Sequence, residues 1–276
     1  MMIVTLPKDS YEKINKLLVS QYEKNENVLN AIISGMNRGI IYVDQVEEPR
    51  TAIVYAVGLE YFLLGDPENE PFNRHLGHFI STQLKQDSMD LCGGTWFISR
   101  IFDERWKETV EKVVNGRSYF VDYSVYYELD SIQIEKGVKH SLQILEDEYS
   151  IVKITEGLIH THENLRDELT EYWSSAETFN QYGLGYAVLS NEKVISACYS
   201  CCVNGDRHEV YVATFDKKAR NNGLATLLGQ RYIDECLERG FSVYWTTDES
   251  NEPSKRVAEK LGFNYSHRLM SFEFEF

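Results

Sequence analysis

The segment EVYVATFDKKARNNGLATLL, which runs from Glu209 to Leu228, predicts a strand, a loop and a helix in immediate succession. Valine, tyrosine and threonine dominate its first third, a composition typical of strands. From Leu224 onwards, apolar residues recur at helical spacing. Between the two elements lie Lys217, Lys218 and Arg220, although the chain as a whole carries a formal net charge of −15.

Binding of an anion explains this basic loop better than solubility does. The exposed N–H groups at a helix start carry partial positive charge and accept anions. Gly223 and Ala225 present almost no side chain, so a phosphate group can approach the main chain closely. The Arg220 guanidinium can grip phosphate oxygens at two points. The alternative is a solvated basic loop with a glycine at its turn, because the pattern R-x-x-G-x-A is short enough to occur by chance.

The composition excludes several classes of protein. The chain has 276 residues, 43% hydrophobic and 13% aromatic, enough for a packed core in two ordinary domains or one large one. The net charge of −15 repels phosphate backbones, so we expect no nucleic-acid partner. The sequence has no run of roughly 18 apolar residues that would predict a membrane helix, and MMIVTLPKDSYEK at the N-terminus is a poor signal peptide. We therefore expect a soluble cytoplasmic protein without a membrane partner.

The cysteines and histidines do not predict a metal site. Cys198 and Cys201 form a C-x-x-C pattern, but they lie in EKVISACYSCCV, which has strand composition and no second ligand pair. Reduced cysteines packed in a sheet are therefore the preferred interpretation. The pairs His160–His162 and His75–His78 also lack a third ligand. We expect no metal cofactor.

The same order of predicted elements occurs in both halves of the chain: three strands, helix, strand, helix, strand. In residues 1–146 the strands are GIIYVD, TAIVYAV, LEYFLLG, TWFIS and SYFVDYSVYYEL, and the helices span Tyr11–Tyr22, Pro71–Leu84 and Asp103–Val114. In residues 147–276 the strands are YSIVKI, GYAVLS, VISACYSCCV, EVYVATF, FSVYWTT and YSHRLMSFEFEF, with helices at Asn164–Tyr172, Ala176–Tyr182, from Asn222, and at Pro253–Leu261.

This order predicts an α/β (α+β) protein with two domains, residues 1–146 and 147–276. One hypothesis is a duplicated fold in which the second copy kept the chemistry; the alternative is that the first half is an α+β domain of unrelated topology. At the position equivalent to the basic loop, the first half reads DPENEPFNRHLGHFI. Asp66, Glu68 and Glu70 would repel a diphosphate there, so we expect no cofactor binding in this half.

A second motif, NEPSKRVAEKLGF from Asn251 to Phe263, follows a strand and opens an amphipathic helix. Asn251 offers donor and acceptor groups to a ligand, or else it is an ordinary N-cap, with Ser254 as a further capping candidate. Together the two motifs resemble the GCN5-related N-acetyltransferase (GNAT) superfamily, in which R-x-x-G-x-G/A holds the pyrophosphate of acetyl-CoA. The matching segment here is RNNGLA, Arg220–Ala225.

The resemblance implies a mixed central sheet of GNAT type in the second half, with acetyl-CoA as co-substrate. It implies that a set of strand, loop and helix residues binds the cofactor: Val212, Ala213, Thr214, Arg220, Asn221, Asn222, Gly223, Leu224, Ala225, Thr226, Asn251 and Ser254. A narrower resemblance, in GIIYVDQVEEPRTAIVY, YFLLGDPENEPFN, FNQYGLGYAVL and HEVYVAT, is to the subfamily that includes zwittermicin A resistance proteins. The loop from Thr214 to Arg220 departs from the family pattern, because it is one residue longer and lacks the common proline.

Catalysis by such an enzyme requires a base, since an alkylammonium has no lone pair and a pKa of about 10.4. Glu209 is the candidate, because many family members use a glutamate at this position; the alternative is a water-exposed glutamate at the strand edge. The resemblance implies an oxyanion donor at the Val212 or Ala213 backbone. The position that often carries the acid tyrosine is Ala258 here, so no acid is assigned; Tyr244 and Tyr265 are the substitutes.

These features favour an N-acetyltransferase that acts on a primary amine of a small molecule, with antibiotics as one class of acceptor. One alternative is a catalytically silent acyl-CoA-binding regulatory module, and another is a protein or peptide N-acetyltransferase. The acceptor and the assembly state remain open, a homodimer included. Aromatic residues before the second strand of the C-terminal half are assigned to core packing, with an acceptor pocket as the alternative: Trp173, Phe179 and Tyr182.

Overall fold

The computed structural model describes residues 3–114, 116–129 and 149–276. The chain divides into two compact units. Unit 1 comprises Met1–Ser124 together with Arg268–Phe276, and unit 2 comprises Val125–His267. The predicted boundary between residues 146 and 147 lies outside the described residues and stays a prediction.

Unit 1 contains a mixed sheet with helices between its strands. Its elements are β1 (Val4–Thr5), a 3-10 helix (Lys8–Leu17), α1 (Gln21–Asn25), α2 (Asn27–Ile33), β2 (Gly39–Val43), β3 (Thr51–Ala56), β4 (Glu60–Gly65), α3 (Glu70–Phe79), a π-helical turn (Ile80–Leu84), α4 (Lys85–Cys92), β5 (Trp96–Ile101) and α5 (Trp106–Val113). The strand β12 (Phe263–Glu275) also contributes, because Met270–Glu275 pairs antiparallel with β5. The strand order is β1-β2-β3-β4-β5-β12, with β4 and β5 parallel and the other neighbours antiparallel.

Aromatic side chains fill the core of unit 1. The rings of Tyr55 and Tyr61 stack at 4.5 Å between centroids, and Tyr61 stacks on Phe97 at 4.7 Å. The N-terminus of α3, which takes the place of the basic loop, is acidic: Glu70 lies in its first turn, and Asp66 is held by Arg50 in an ion pair of 2.6 Å. The expectation that this half binds no cofactor stays a prediction.

Unit 2 has the same pattern of strands. Its elements are the Val125–Leu129 part of β6 (Phe120–Leu129), β7 (Tyr149–Lys153), α6 (Glu156–Thr161), α7 (Glu163–Tyr172), α8 (Ala176–Tyr182), β8 (Gly185–Ser190), β9 (Lys193–Asn204), β10 (Arg207–Thr214), a 3-10 turn (Lys217–Ala219), α9 (Leu224–Glu238), β11 (Ser242–Asp248), α10 (Glu252–Lys260) and the start of β12. The strand order is β6-β11-β10-β9-β8-β7. From β7 to β10 the neighbours are antiparallel, and β10 pairs parallel with β11.

One apolar face of α9 anchors the unit 2 core. Leu224, Leu228 and Tyr232 are buried at i, i+4 and i+8, so they form one stripe along the helix. They belong to the same cluster as Val210 on the sheet. The cluster fixes the start of α9 against β10, and the basic loop spans the short distance between them.

The predicted fold class is confirmed: both units are mixed α/β structures in which an antiparallel run of strands ends in a parallel pair. Cys198, Cys201 and Cys202 lie buried in β9 as free thiols, as the strand composition predicted. The prediction of one helix over Tyr11–Tyr22 was wrong, because the chain forms a 3-10 helix there and then starts a separate helix, α1. Ser20 begins α1 with a capping box. Among the described residues, no helix is both long and apolar enough to cross a membrane.

Candidate active site

The candidate site lies where β10 and β11 stop pairing. Their parallel register joins Arg207–Glu209 to Ser242–Tyr244. Beyond these residues, a cavity of about 1280 Å³ is lined by Val210–Phe215 from β10 and the loop after it, and by Trp245–Thr247 from β11. Because both strands continue past the last pair, the backbone edge of β10 in this region faces a ligand-sized space.

The start of α9 opens into the same cavity. Gly223 precedes the helix in the left-handed region, with φ 78° and ψ 3°, a conformation that a residue with a Cβ adopts only with strain. No side chain caps the helix start, and its first turn contains no acidic residue. Leu224, Ala225 and Thr226 line the cavity, so the N–H groups of the first turn are next to it. This arrangement is suited to binding an anion.

Arg220 adds a full positive charge at this helix start. Its Nε and Nη2 each donate to the Thr214 carbonyl at 3.3 Å, which fixes the guanidinium at the end of β10. Arg220 lines the cavity, whereas the exposed Lys217 and Lys218 do not. The 3-10 turn is instead organised by Asp216, whose carboxylate accepts from the Lys218 N–H at 2.8 Å. Of the three clustered cations, Arg220 is therefore the one placed to contact a ligand in this cavity.

The second motif forms the opposite wall. The Asn251 side chain accepts from the Ser254 N–H at 3.2 Å and caps α10, so the capping role of Asn251 is confirmed. The Ser254 hydroxyl accepts from the Trp245 indole N–H at 3.0 Å. Both Asn251 and Ser254 still line the cavity. Their structural roles hold the loop after β11 in place and leave a polar wall beside the space.

Nearly all residues predicted to bind the cofactor line this one cavity. They are Val212, Ala213, Thr214, Arg220, Asn221, Gly223, Leu224, Ala225, Thr226, Asn251 and Ser254. The exposed Asn222 is not among the lining residues. Arg256 and Lys260, one turn apart on α10, also line the cavity and were missed. The charged groups of this wall are thus mainly positive, which favours a polyanionic ligand.

Glu209 stays a prediction as the base. It is 5% exposed, lies at the last position where β10 pairs with β11, and is followed by an irregularity in the pairing of β10 with β9. Its carbonyl accepts from the Cys201 thiol at 3.5 Å. The cavity wall includes Val210 and Tyr211 but not Glu209.

A different carboxyl group, Glu168 on α7, does line the cavity. The Tyr199 hydroxyl donates to its Oε1 at 3.2 Å. Burial raises the pKa of Glu168 above its usual value, more than hydrogen bonding from Tyr199 and Tyr211 lowers it. A half-buried carboxyl with a raised pKa in a cleft is typical of groups that move protons. Sequence reasoning missed it, although Glu168 and Tyr172 lie four apart on a correctly predicted helix.

The remaining candidates lie away from the cavity wall. Ala258 is fully buried, and the two substitute acids, Tyr244 and Tyr265, do not line the space. Trp173 and Phe179 are buried and pack edge to face at 5.5 Å, which confirms their assignment to the core. Tyr182 is 43% exposed and does not line the cavity, so its assignment to core packing was wrong. Among the described residues, no group of three or more His, Cys, Asp or Glu side chains is arranged to hold a metal ion.

The family model for GNAT acetyltransferases matches residues 16–272. The chain belongs to the GNAT acetyltransferase family. This GNAT chain is 26% identical, over 263 residues, to a Bacillus subtilis (strain 168) protein named "Uncharacterized N-acetyltransferase YdfB", with 94% of this chain and 93% of the other covered.

Solved structures share the GNAT fold over almost the whole chain. A GCN5-related N-acetyltransferase-like protein from Streptococcus suis 89/1591 superimposes with a TM-score of 0.67 at 23% identity, covering 96% of this chain and 98% of the other. A tandem GNAT protein from the clavulanic acid biosynthesis pathway gives a TM-score of 0.59 at 13% identity, with 99% and 98% covered. At these identities the likeness concerns the fold alone. It agrees with the repeated strand pattern of units 1 and 2.

Proposed function

We propose that this GNAT protein transfers the acetyl group of acetyl-CoA to a primary amine of a small molecule. One observation carries the proposal: the uncapped start of α9, with Gly223 in the left-handed region and Arg220 beside it, opens into the cavity between β10 and β11. A helix start of this kind binds phosphate groups, and the cavity volume of about 1280 Å³ is ample for a nucleotide-sized cofactor.

The residues present fit the cofactor. The N–H groups of Leu224, Ala225 and Thr226 and the guanidinium of Arg220 would hold its diphosphate, with Asn221, Asn222 and Gly223 forming the turn. The β10 edge at Val212, Ala213 and Thr214 would hydrogen-bond its pantetheine arm, and Asn251 and Ser254 would form the facing wall. When bound, acetyl-CoA supplies an activated acetyl thioester. The backbone N–H groups of β10 would stabilise the negative charge that develops on the carbonyl oxygen.

The acceptor is proposed to be an amine, with antibiotics as a class to test first. The narrower resemblance to the subfamily that includes zwittermicin A resistance proteins supports that choice, and so does the name of the Bacillus subtilis relative, which specifies N-acetylation. Cationic amines also suit a chain with a net charge of −15. We further propose that the protein acts in the cytoplasm, without nucleic acid or membrane as partner, and a homodimer remains to be tested.

The test measures the release of free CoA thiol when the protein is incubated with acetyl-CoA and each of a panel of amines. Calorimetric titration of acetyl-CoA into the protein measures cofactor affinity in parallel. Turnover on small amines supports the proposal. Tight binding of acetyl-CoA with no turnover across a broad panel would instead favour a silent acyl-CoA-binding module, and turnover restricted to peptides would favour a protein N-acetyltransferase. Absence of acetyl-CoA binding would overturn the assignment of the helix start.

A further inference from the structure

A carboxyl group surrounded by tyrosines forms part of the cavity wall. Glu168 comes from α7, Tyr199 from β9 and Tyr211 from β10, and both Glu168 and Tyr211 line the cavity. The Tyr199 hydroxyl donates to Glu168 Oε1 at 3.2 Å. Of the described residues that line the cavity, Glu168 is the acidic one, while Arg220, Arg256 and Lys260 are cationic.

The three rings near Glu168 form a compact cluster. Tyr211 lies 5.6 Å from Tyr172 and 5.6 Å from Tyr199 between ring centroids, and Tyr172 lies 6.3 Å from Tyr199. Of the three tyrosines, Tyr211 lines the cavity, whereas Tyr172 and Tyr199 are buried behind the wall and surround Glu168 with aromatic rings. A carboxylate beside aromatic faces attracts an ammonium ion by charge pairing and by cation–π interaction.

The protonation states suit a proton acceptor. Burial raises the pKa of Glu168, so the carboxyl is a stronger base than an exposed glutamate. Burial raises the pKa of Tyr211 to about 12 and also raises the pKa values of Tyr172 and Tyr199. The tyrosine hydroxyls therefore keep their protons at neutral pH and act as hydrogen-bond donors. The other ionisable groups that act on this cluster are Cys201 of β9 and Glu171 of α7.

We propose that Glu168 binds the acceptor as an ammonium ion and takes its proton, with Tyr199 and Tyr211 positioning the carboxylate. This inference rests on the proposed function. One N–H bond of the ammonium breaks and an O–H bond forms on Glu168, so the two charges cancel. The freed nitrogen lone pair then forms the amide C–N bond, and the thioester C–S bond breaks with its electron pair staying on sulfur. The second proton lost by the nitrogen passes to the departing thiolate, directly or through water, so the products are the neutral amide, CoA thiol and protonated Glu168. The substrate class is therefore an aliphatic amine that is cationic at neutral pH.

Replacement of the carboxyl tests the proposal, with Asp167→Asn as the matched control. Asp167 is an exposed neighbour on α7 that does not line the cavity, and its replacement also removes one negative charge. Glu168→Gln should lower kcat/KM for the amine by about 10²- to 10⁴-fold and remove the acid limb of its pH profile. Acetyl-CoA affinity should stay within about twofold in both variants, which also reports on folding. Asp167→Asn should keep wild-type turnover.

Two further variants separate positioning from folding. Tyr199→Phe removes a hydrogen bond that favours the charged carboxylate, so the acid limb should move to higher pH with a smaller loss of kcat. Glu168→Asp keeps the carboxyl and should retain an acid limb at reduced kcat. Both results follow from proton transfer at this site, and neither follows from a purely structural role.

Binding of the amine in the presence of CoA, measured by calorimetry, keeps the inference testable without turnover. Wild type should bind a cationic amine at least about tenfold more tightly than Glu168→Gln does. The inference is overturned by unchanged turnover and pH profile in Glu168→Gln, by loss of the acid limb in Glu209→Gln instead, or by failure of wild type to bind any amine. Failure to bind acetyl-CoA, in contrast, overturns the proposed function.

Discussion

Reversal of the charge at Arg220 gives the sharpest test of the proposed phosphate site. Arg220→Glu removes charge-assisted hydrogen bonds worth about 1.5–3 kcal/mol and places a carboxylate beside the diphosphate. Two like charges 4 Å apart in water repel by about 1 kcal/mol. Together these amount to about 2.5–4 kcal/mol, so acetyl-CoA affinity should fall by about a hundredfold to a thousandfold.

Lys218→Glu is the matched control for this change. Lys218 lies in the same loop, is exposed and does not line the cavity. The substitution Lys218→Glu changes the net charge of −15 by two units, as Arg220→Glu does. Its charge acts on the ligand through salt solution, with a Debye length of about 8 Å at physiological ionic strength, so affinity should change by less than about threefold.

Calorimetric titration of acetyl-CoA into wild type, Arg220→Glu and Lys218→Glu measures the difference. Thermal denaturation should show similar stability for both variants, because both side chains are exposed. An equal loss of acetyl-CoA affinity in the two variants would mean that the positive charge of the loop attracts the ligand at a distance, without a contact from Arg220. Wild-type affinity in Arg220→Glu would show that the diphosphate does not bind at this helix start.

Three further predictions concern the backbone, the buried histidine and the thiols. Gly223→Val should lower the free energy of unfolding by about 1–3 kcal/mol and weaken acetyl-CoA binding, because φ is 78° there; an unchanged melting temperature would contradict this. His208 is buried, which lowers its pKa to about 4, so the unfolded chain takes up the proton first. Its contribution to stability is therefore complete above about pH 6.5 and is lost as the pH falls towards 4, by up to about 3 kcal/mol. Urea titrations at pH 7, 5.5 and 4 should show this loss, and His208→Phe should reduce it. If the free energy of unfolding changed with pH equally in both proteins, His208 would not be its source. Native protein treated with iodoacetamide should be modified first at the half-buried Cys92, since burial protects Cys198 and raises the pKa of Cys236 to about 12. Mass spectrometry would contradict this if Cys198 reacted as fast as Cys92.

The two compact units of the structure do not coincide with the domains predicted from the sequence, residues 1–146 and 147–276, and the difference has a physical reason. Strand patterns predict which segments are extended, but pairing between distant strands depends on tertiary contacts. The end of β12 pairs with β5, more than 150 residues earlier, and so joins unit 1. Local signals carry no information about such a partner.

The cavity wall proposed to bind a diphosphate could be predicted from the sequence because its parts are contiguous. The strand, the basic loop and the helix start lie within Glu209–Leu228, and their local geometry follows from strand composition, Gly223 and the helical spacing from Leu224. In the proposed site, backbone N–H groups would do most of the binding, so few specific side chains are needed. The sequence alone was therefore enough to locate the cavity wall formed by β10 and α9.

The wall proposed to bind the acceptor depends on tertiary structure. Glu168 meets Tyr199, 31 residues later, because α7 packs on the sheet face where β9 and β10 are paired. Glu168 lies three residues after Leu165 and four before Tyr172, on the buried face of α7, whereas Asp167 is exposed. The spacing alone does not show that this face packs beside Tyr199 and the cavity. Burial raises the pKa of Glu168, and burial is a property of the folded chain. The sequence thus determined the glycine turn and helix start at which we propose that a diphosphate binds, whereas packing of distant elements determined which carboxyl group faces the cavity.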